Sequence, residues 1–271
     1  MFNNATNGSL QIGNTDMDFV VFGKGDKNLL MIPGLGDGLK TVKGTAILMS
    51  KMYSCFANDY KVYLISRKNN LESGYTTKDM AADYMTAMEK LGIQKADVAG
   101  VSQGGMIAQY IAIDYPCLVN KLVLAVTLSR QNETVQSVVG SWIKMAENDD
   151  YRSIFIDTSE KLYSENRLKK IRPLYPLLSR IGKPKNLNRF ITQANSCITH
   201  NAYDELPKIT CPTLIIGSKN DKIVGPNTSE EISEKIPNNK LTIYNDLGHG
   251  LYEEAKDFNS SVLEFLNLQN S

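Results

Sequence analysis

Histidine is nearly absent from this chain: 271 residues hold two, His200 and His249. Any side chain that must accept a proton near neutral pH therefore has few places to be. Cysteine is sparse too. Cys55, Cys117, Cys197 and Cys211 stand far apart, with no Cys-x-x-Cys pair and no His at ligand spacing. That excludes a zinc ribbon and predicts reduced thiols rather than a disulfide framework, with no metal and no cofactor expected. Excess charge is missing as well. Thirty Lys and Arg against 29 Asp and Glu leave +1, so no global field draws nucleic acid or an anionic membrane. No window approaches the roughly 18 uninterrupted apolar residues of a membrane span. The first residues, MFNNATNGSL, lack a basic stretch leading into an apolar one, so a cytoplasmic location is expected. Tryptophan occurs once, at Trp142.

What is present is ordinary globular material, 42% hydrophobic and 22% charged. Short apolar runs at 18–22, 28–32, 60–65, 96–101 and 121–126 read as strands. Met80, Tyr84, Met88 and Leu91 recur at helical spacing, with Gly92 where a C-cap belongs. A second helix pattern follows at 103–115. Strands alternating with helices predict a mostly parallel sheet covered on both faces. The alternation stops near Ser129 and resumes at Pro212, where 213–216 and 240–244 read as strands and 229–236 as a helix. Leu251, Ala255, Phe258, Val262 and Phe265 then mark a final helical stripe. The interval is helical in pattern and too long for an ordinary loop. The expected organisation is a core of residues 1–128 and 207–271 with a helical lid at 129–206.

Three segments carry chemistry. Gly100-Val101-Ser102-Gln103-Gly104 is Gly-x-Ser-x-Gly between a strand and a helix, a turn that exposes a serine hydroxyl at a helix N-terminus. A hydroxyl needs a base, and His249, in Asp246-Leu247-Gly248-His249-Gly250, follows the last strand directly. His200 lacks such a setting. The base needs a carboxylate to fix its tautomer. Asp221, just past the penultimate strand, is the candidate, with Asp246 as its rival. Pro33-Gly34-Leu35-Gly36-Asp37-Gly38 lacks the Lys-Ser/Thr of a nucleotide loop. It suits an oxyanion loop, in which the Leu35 N–H joins the Gln103 N–H in facing developing negative charge.

The set PGLGDG, GVSQGG, Asp221 after a strand, and DLGHG resembles the α/β-hydrolase superfamily over about residues 16–268. The resemblance implies an α/β fold with a mostly parallel eight-stranded sheet and a helical cap inserted after the sixth strand. It also implies a Ser102–His249–Asp221 triad with Leu35 and Gln103 supplying the oxyanion N–H groups. Gly34, Gly36 and Trp142 are candidates for substrate contact. Two segments depart from the family pattern: Pro33-Gly34 replaces the usual His-Gly, and Ser66-Arg67-Lys68-Asn69-Asn70 replaces Asp-x-Arg-Gly-x-Gly. The expected activity is hydrolysis of a small-molecule acyl bond, against acyl transfer, perhydrolysis, carbon–carbon cleavage or a non-catalytic receptor. A run of Arg and Lys from Arg167 to Arg189 either pairs with acidic residues upstream or faces the pocket to attract an anionic substrate.

Overall fold

In the computed structural model, which describes residues 3–269, one eight-stranded sheet organises the chain. Strands β1 (Thr6–Ile12), β2 (Thr15–Phe22), β3 (Lys27–Ile32), β4 (Tyr60–Lys68), β5 (Ala96–Val101), β6 (Val119–Ala125), β7 (Thr213–Ser218) and β8 (Asn239–Tyr244) lie in the order 1-2-4-3-5-6-7-8. β1 and β2 pair antiparallel, as do β2 and β4; the remaining pairs are parallel. β1 has no counterpart in the sequence reading. It is an edge strand with four exposed residues, so its apolar signal is weak.

Helices α1 (Ala46–Met52), α2 (Thr77–Lys90) and α3 (Gln103–Asp114) connect the early strands. Helix α2 begins in a capping box between Thr76 and Asp79 and ends at Gly92, whose φ of 69° lets the chain turn back. Between β6 and β7 the chain forms α4 (Glu133–Glu147), α5 (Tyr151–Leu162), α6 (Glu165–Ile171), α7 (Tyr175–Leu178) and α8 (Asn188–Ile198). By packing, the return to the sheet precedes Pro212, because Ala202, Leu206 and Ile209 join the core around α2 and α3. Helices α9 (Thr228–Lys235), α10 (Leu251–Glu254) and α11 (Phe258–Asn267) complete the fold. The stripe from Leu251 to Phe265 thus spans a break at 255–257. Leu251, Phe258, Val262 and Phe265 still share one cluster.

Strand residues alternate between two cores. Leu30, Ile65, Val98 and Leu124 pack with α2 and α3, whereas Met31, Leu64, Val123 and Ala125 pack with α1 and α11. The parallel strands end together at one edge of the sheet, and it is there that α/β proteins place ligands. A third core joins Leu35 and Met106 to the inserted helices, so these helices are docked on that edge by apolar burial. Far from it, Lys121 Nζ donates to the carbonyls of Leu266 (2.9 Å) and Leu268 at the end of α11. That is where a cation best complements a helix.

Candidate active site

Ser102 occupies the turn between β5 and α3 with φ 55° and ψ −121°. A non-glycine residue rarely holds a positive φ, and here neighbours over-determine it. Its N–H donates to Ala125 O at 2.9 Å, and its carbonyl accepts from Gly105 N–H and from Thr127 Oγ1, both at 2.8 Å. The flanking glycines are forced by space. A Cβ on Gly100 would lie 2.3 Å from Gly104 O, and one on Gly104 would lie 2.0 Å from Ile32 O. Val126, just past β6, also has a positive φ of 45°. A β-branched residue there is a marked outlier, and nothing in the sequence signalled it.

His249 and Asp221 meet across the ends of β8 and β7. His249 Nδ1 lies 2.7 Å from Asp221 Oδ2, with both residues buried. The other carboxylate oxygen accepts from Ile223 N–H (2.9 Å) and Val224 N–H (3.0 Å), so the Asp221 carboxylate is fixed from two sides. Asp246 is exposed. The loop carrying His249 is tied to the inserted helices, since Gly250 N–H donates to Leu162 O, at the end of α5, at 2.7 Å. His200 lies elsewhere, fully buried. Its Nδ1 is 2.9 Å from Thr77 Oγ1, its Nε2 is 3.4 Å from Gln109 Oε1, and burial lowers its pKa to about 3. It is a neutral core histidine.

The loop after β3 approaches the serine closely: a Cβ on Gly34 would be 3.3 Å from Ser102 Cβ. Among the described residues, neither the Leu35 N–H nor the Gln103 N–H donates to a protein acceptor. Unused amides beside the serine are what an incoming oxyanion needs. The Gln103 side chain turns away from the cavity, where its Nε2 donates to Gln193 O (2.7 Å) and Ser196 Oγ (3.0 Å) of α8.

Under this loop lies a cluster that the sequence did not reveal. Arg67, 1% exposed, donates from Nη2 to Gly34 O (3.1 Å) and to Gln103 Oε1 (2.5 Å). Asp37 Oδ2 sits 3.5 Å from Arg67 Nη1 and 2.5 Å from Nη2 of Arg189, which reaches in from α8. Arg189 also donates to Lys68 O and Arg67 O, both at 2.9 Å. The guanidinium of Arg67 therefore holds the Pro33-Gly34 loop. Among the charges of the inserted segment, Arg172 pairs with Glu160 and Glu165, Lys183 with Asp149, and Arg167 with Glu253.

A cavity of about 430 Å³ contains Ser102, His249, Gly34, Leu35, Gly36 and Trp142 on its walls. Trp142 is oriented by its Nε1–H, which donates to Asp157 Oδ2 at 2.6 Å. The rest of the lining is mainly aliphatic, Met and aromatic, from the sheet, α1, α4 and α11. Burial raises the pKa of Tyr53, on this wall, to about 12, so its hydroxyl stays protonated. Among the described residues no group of three or more His, Cys, Asp or Glu is placed to hold a metal ion, and no helix is long and apolar enough to cross a membrane.

The comparisons with known proteins bear on the family and the fold. The family model described as alpha/beta hydrolase fold matches residues 27–256, and the chain belongs to that family of enzymes. A curated relative, the 2-hydroxy-6-oxononadienedioate/2-hydroxy-6-oxononatrienedioate hydrolase of a Pseudomonas species, is 26% identical over 96% of this chain and 92% of its own length. Among solved structures, MGS-M2, an alpha/beta hydrolase enzyme from a Medee basin deep-sea metagenome library, superposes with TM-score 0.85. It is 22% identical, with 97% of this chain and 98% of that one covered. The enol-lactonase of Burkholderia xenovorans LB400 follows at TM-score 0.81 and 16% identity, covering 96% and 100%.

Proposed function

We propose that the protein is a serine hydrolase that cleaves an ester or related acyl bond of a small molecule through an acyl-enzyme. The observation that carries this reading is the buried 2.7 Å contact of His249 Nδ1 with Asp221 Oδ2, in one cavity with a serine held at φ 55°. A carboxylate on Nδ1 keeps that proton in place and leaves Nε2 free to accept. In the first step Ser102 Oγ bonds to the acyl carbon while His249 takes its proton, and the Leu35 and Gln103 N–H groups receive the oxyanion. His249 then gives the proton to the departing oxygen as the ester C–O bond breaks. Water repeats the sequence: its proton passes through His249 to Ser102 Oγ, and the acid leaves. No cofactor enters the cycle. The inserted helices at 129–206 act as a lid over the site, with Trp142, Gly34 and Gly36 against the substrate. Four free cysteines fit a reducing compartment, the cytoplasm.

Likeness to the dienedioate hydrolase favours a second reading, cleavage of a carbon–carbon bond on the same residues. The mainly apolar lining supports an ester with an apolar acyl group over a dianionic substrate. Acyl transfer and perhydrolysis would use the same acyl-enzyme with another nucleophile in place of water. Turnover of p-nitrophenyl butyrate tests the proposal: Ser102→Ala should lower kcat by about 10⁴-fold or more while the circular dichroism spectrum is retained. A variant within tenfold of wild type would dismiss the nucleophile, and a wild type inert to every ester would favour the second reading or a receptor.

A further inference from the structure

Ala99 lies well inside β5, a central strand, yet it keeps accessible surface, and so does Val101 on the same face. Central parallel strands are ordinarily covered on both faces. Here the cover of α1 and α11 is incomplete, and Ala99 and Val101 line the cavity that holds Ser102. The rest of that wall is Met31 of β3, Leu64 of β4, and Val123 and Ala125 of β6. All six residues belong to one sheet face, since they pack in the core formed with α1 and α11. The opposite wall is Met49 and Met52 of α1 and Phe258 and Val262 of α11. Two alanines on neighbouring strands thus leave a slot between sheet and helices that the facing side chains do not fill. Protein interiors are normally packed too tightly for such a gap. Polar groups on it are few. One is the Tyr53 hydroxyl; another is Asn259, whose Nδ2 donates to Met52 O at 3.3 Å while its Oδ1 is buried without a partner among the described residues.

We propose that this slot holds the unbranched acyl chain of the ester substrate. The proposal rests on Ser102 as the nucleophile. Direction distinguishes the acyl part from the alcohol. The alcohol must leave toward solvent after the first step, whereas the acyl group stays bonded to Ser102 until water arrives. The slot's sheet wall is buried at Met31, Leu64 and Val123, between sheet and helices, and so suits the part that stays. From Ser102 back to Ala99 is roughly 10 Å of strand, the length of about eight bonds in an extended chain. Medium-chain acyl groups are the class that fits.

The experiment is a series of p-nitrophenyl esters from acetate to dodecanoate, with octanoate binding to the Ser102→Ala protein measured by calorimetry. kcat/KM should rise about fourfold for each added methylene, the worth of burying one CH₂, and level off near eight carbons. Ala99→Phe fills the slot from the sheet side. Met49→Trp fills it from α1, at a partly exposed position where folding is less at risk. Each should lower the octanoate-to-acetate ratio of kcat/KM at least tenfold and weaken octanoate binding to Ser102→Ala. A profile that is flat or falls beyond butyrate overturns the proposal, as do fillings that lower every chain length equally. If no ester is turned over, the ester-hydrolase reading fails, and octanoate binding alone decides on the slot: sensitivity to both fillings supports it, indifference rejects it.

Discussion

Asp37 is the carboxylate on which two buried guanidiniums depend, and removing its charge should cost more than removing either arginine. Asp37 and Arg67 are each about 1% exposed and Arg189 is 13% exposed, so water screens little of the cluster. Asp37→Asn keeps the shape and the approach of both arginines to the same oxygen. It leaves two cations facing a neutral amide, and breaking a buried pair this way costs about 3–5 kcal/mol. Arg67→Met is milder. Asp37 keeps Arg189, and Gly34 O still accepts from Asp37 N–H at 3.1 Å, so the group left without its donor is Gln103 Oε1. One stranded acceptor costs about 1–3 kcal/mol. Urea unfolding followed by tryptophan fluorescence reads both, through Trp142. With slopes of about 1–3 kcal/mol/M, Asp37→Asn should shift the midpoint by about 1 M or more. Arg67→Lys should not restore the cluster, because an ammonium is one nitrogen and lacks the fork that serves Gly34 O and Gln103 Oε1 from Nη2 while Nη1 faces Asp37 Oδ2. If Asp37→Asn falls within about 1 kcal/mol of wild type, or Arg67→Met is the more damaging change, the electrostatic reasoning is wrong.

Two further outcomes follow from the histidines. His200 falls from 6.5 to about 3 in the folded state, so below pH 6.5 the unfolded chain binds a proton that the folded chain refuses. Its contribution to stability is complete above pH 6.5 and is lost toward pH 3 by about 1.4 kcal/mol per unit. His200→Gln should flatten that acid slope in unfolding measured between pH 6 and 4, and an unchanged slope would refute the assignment. At the site, Asp221→Asn should lower kcat by about 10⁴-fold through loss of the tautomer. Asp246→Asn, at an exposed position, should leave kcat within about twofold. The reverse ranking in ester turnover would move the acid to Asp246.

What the sequence made legible is what is encoded locally. The serine turn, the histidine loop and seven of the strands each sit in one short segment whose glycines or periodicity report the backbone directly. Asp221 could be preferred to Asp246 from its place after a strand, but the 2.7 Å contact with His249 crosses 28 residues and needed the fold. The Arg67–Asp37–Arg189 cluster joins segments up to 152 residues apart, and a single charged residue gives no local sign that it will be buried. Arg189 belonged, by sequence, to a basic run whose expected fates were a paired helix face or the pocket mouth. Instead it turns inward and links α8 to the loop beside Ser102. The slot was invisible for another reason. Ala99 and Ala125 look like ordinary strand residues, and the gap arises from what α1 and α11 fail to place opposite them.

The central claim is that Ser102 is an activated nucleophile with His249 as its base. Reaction with a fluorophosphonate followed by peptide mass spectrometry tests it without assuming a substrate, because the phosphonyl group is captured by the attacking oxygen. The account predicts one adduct per chain, on the peptide containing Ser102, absent from Ser102→Ala and formed at least about a hundredfold more slowly in His249→Ala. No adduct on Ser102 in folded wild-type protein, or one formed at an undiminished rate in His249→Ala, would contradict it.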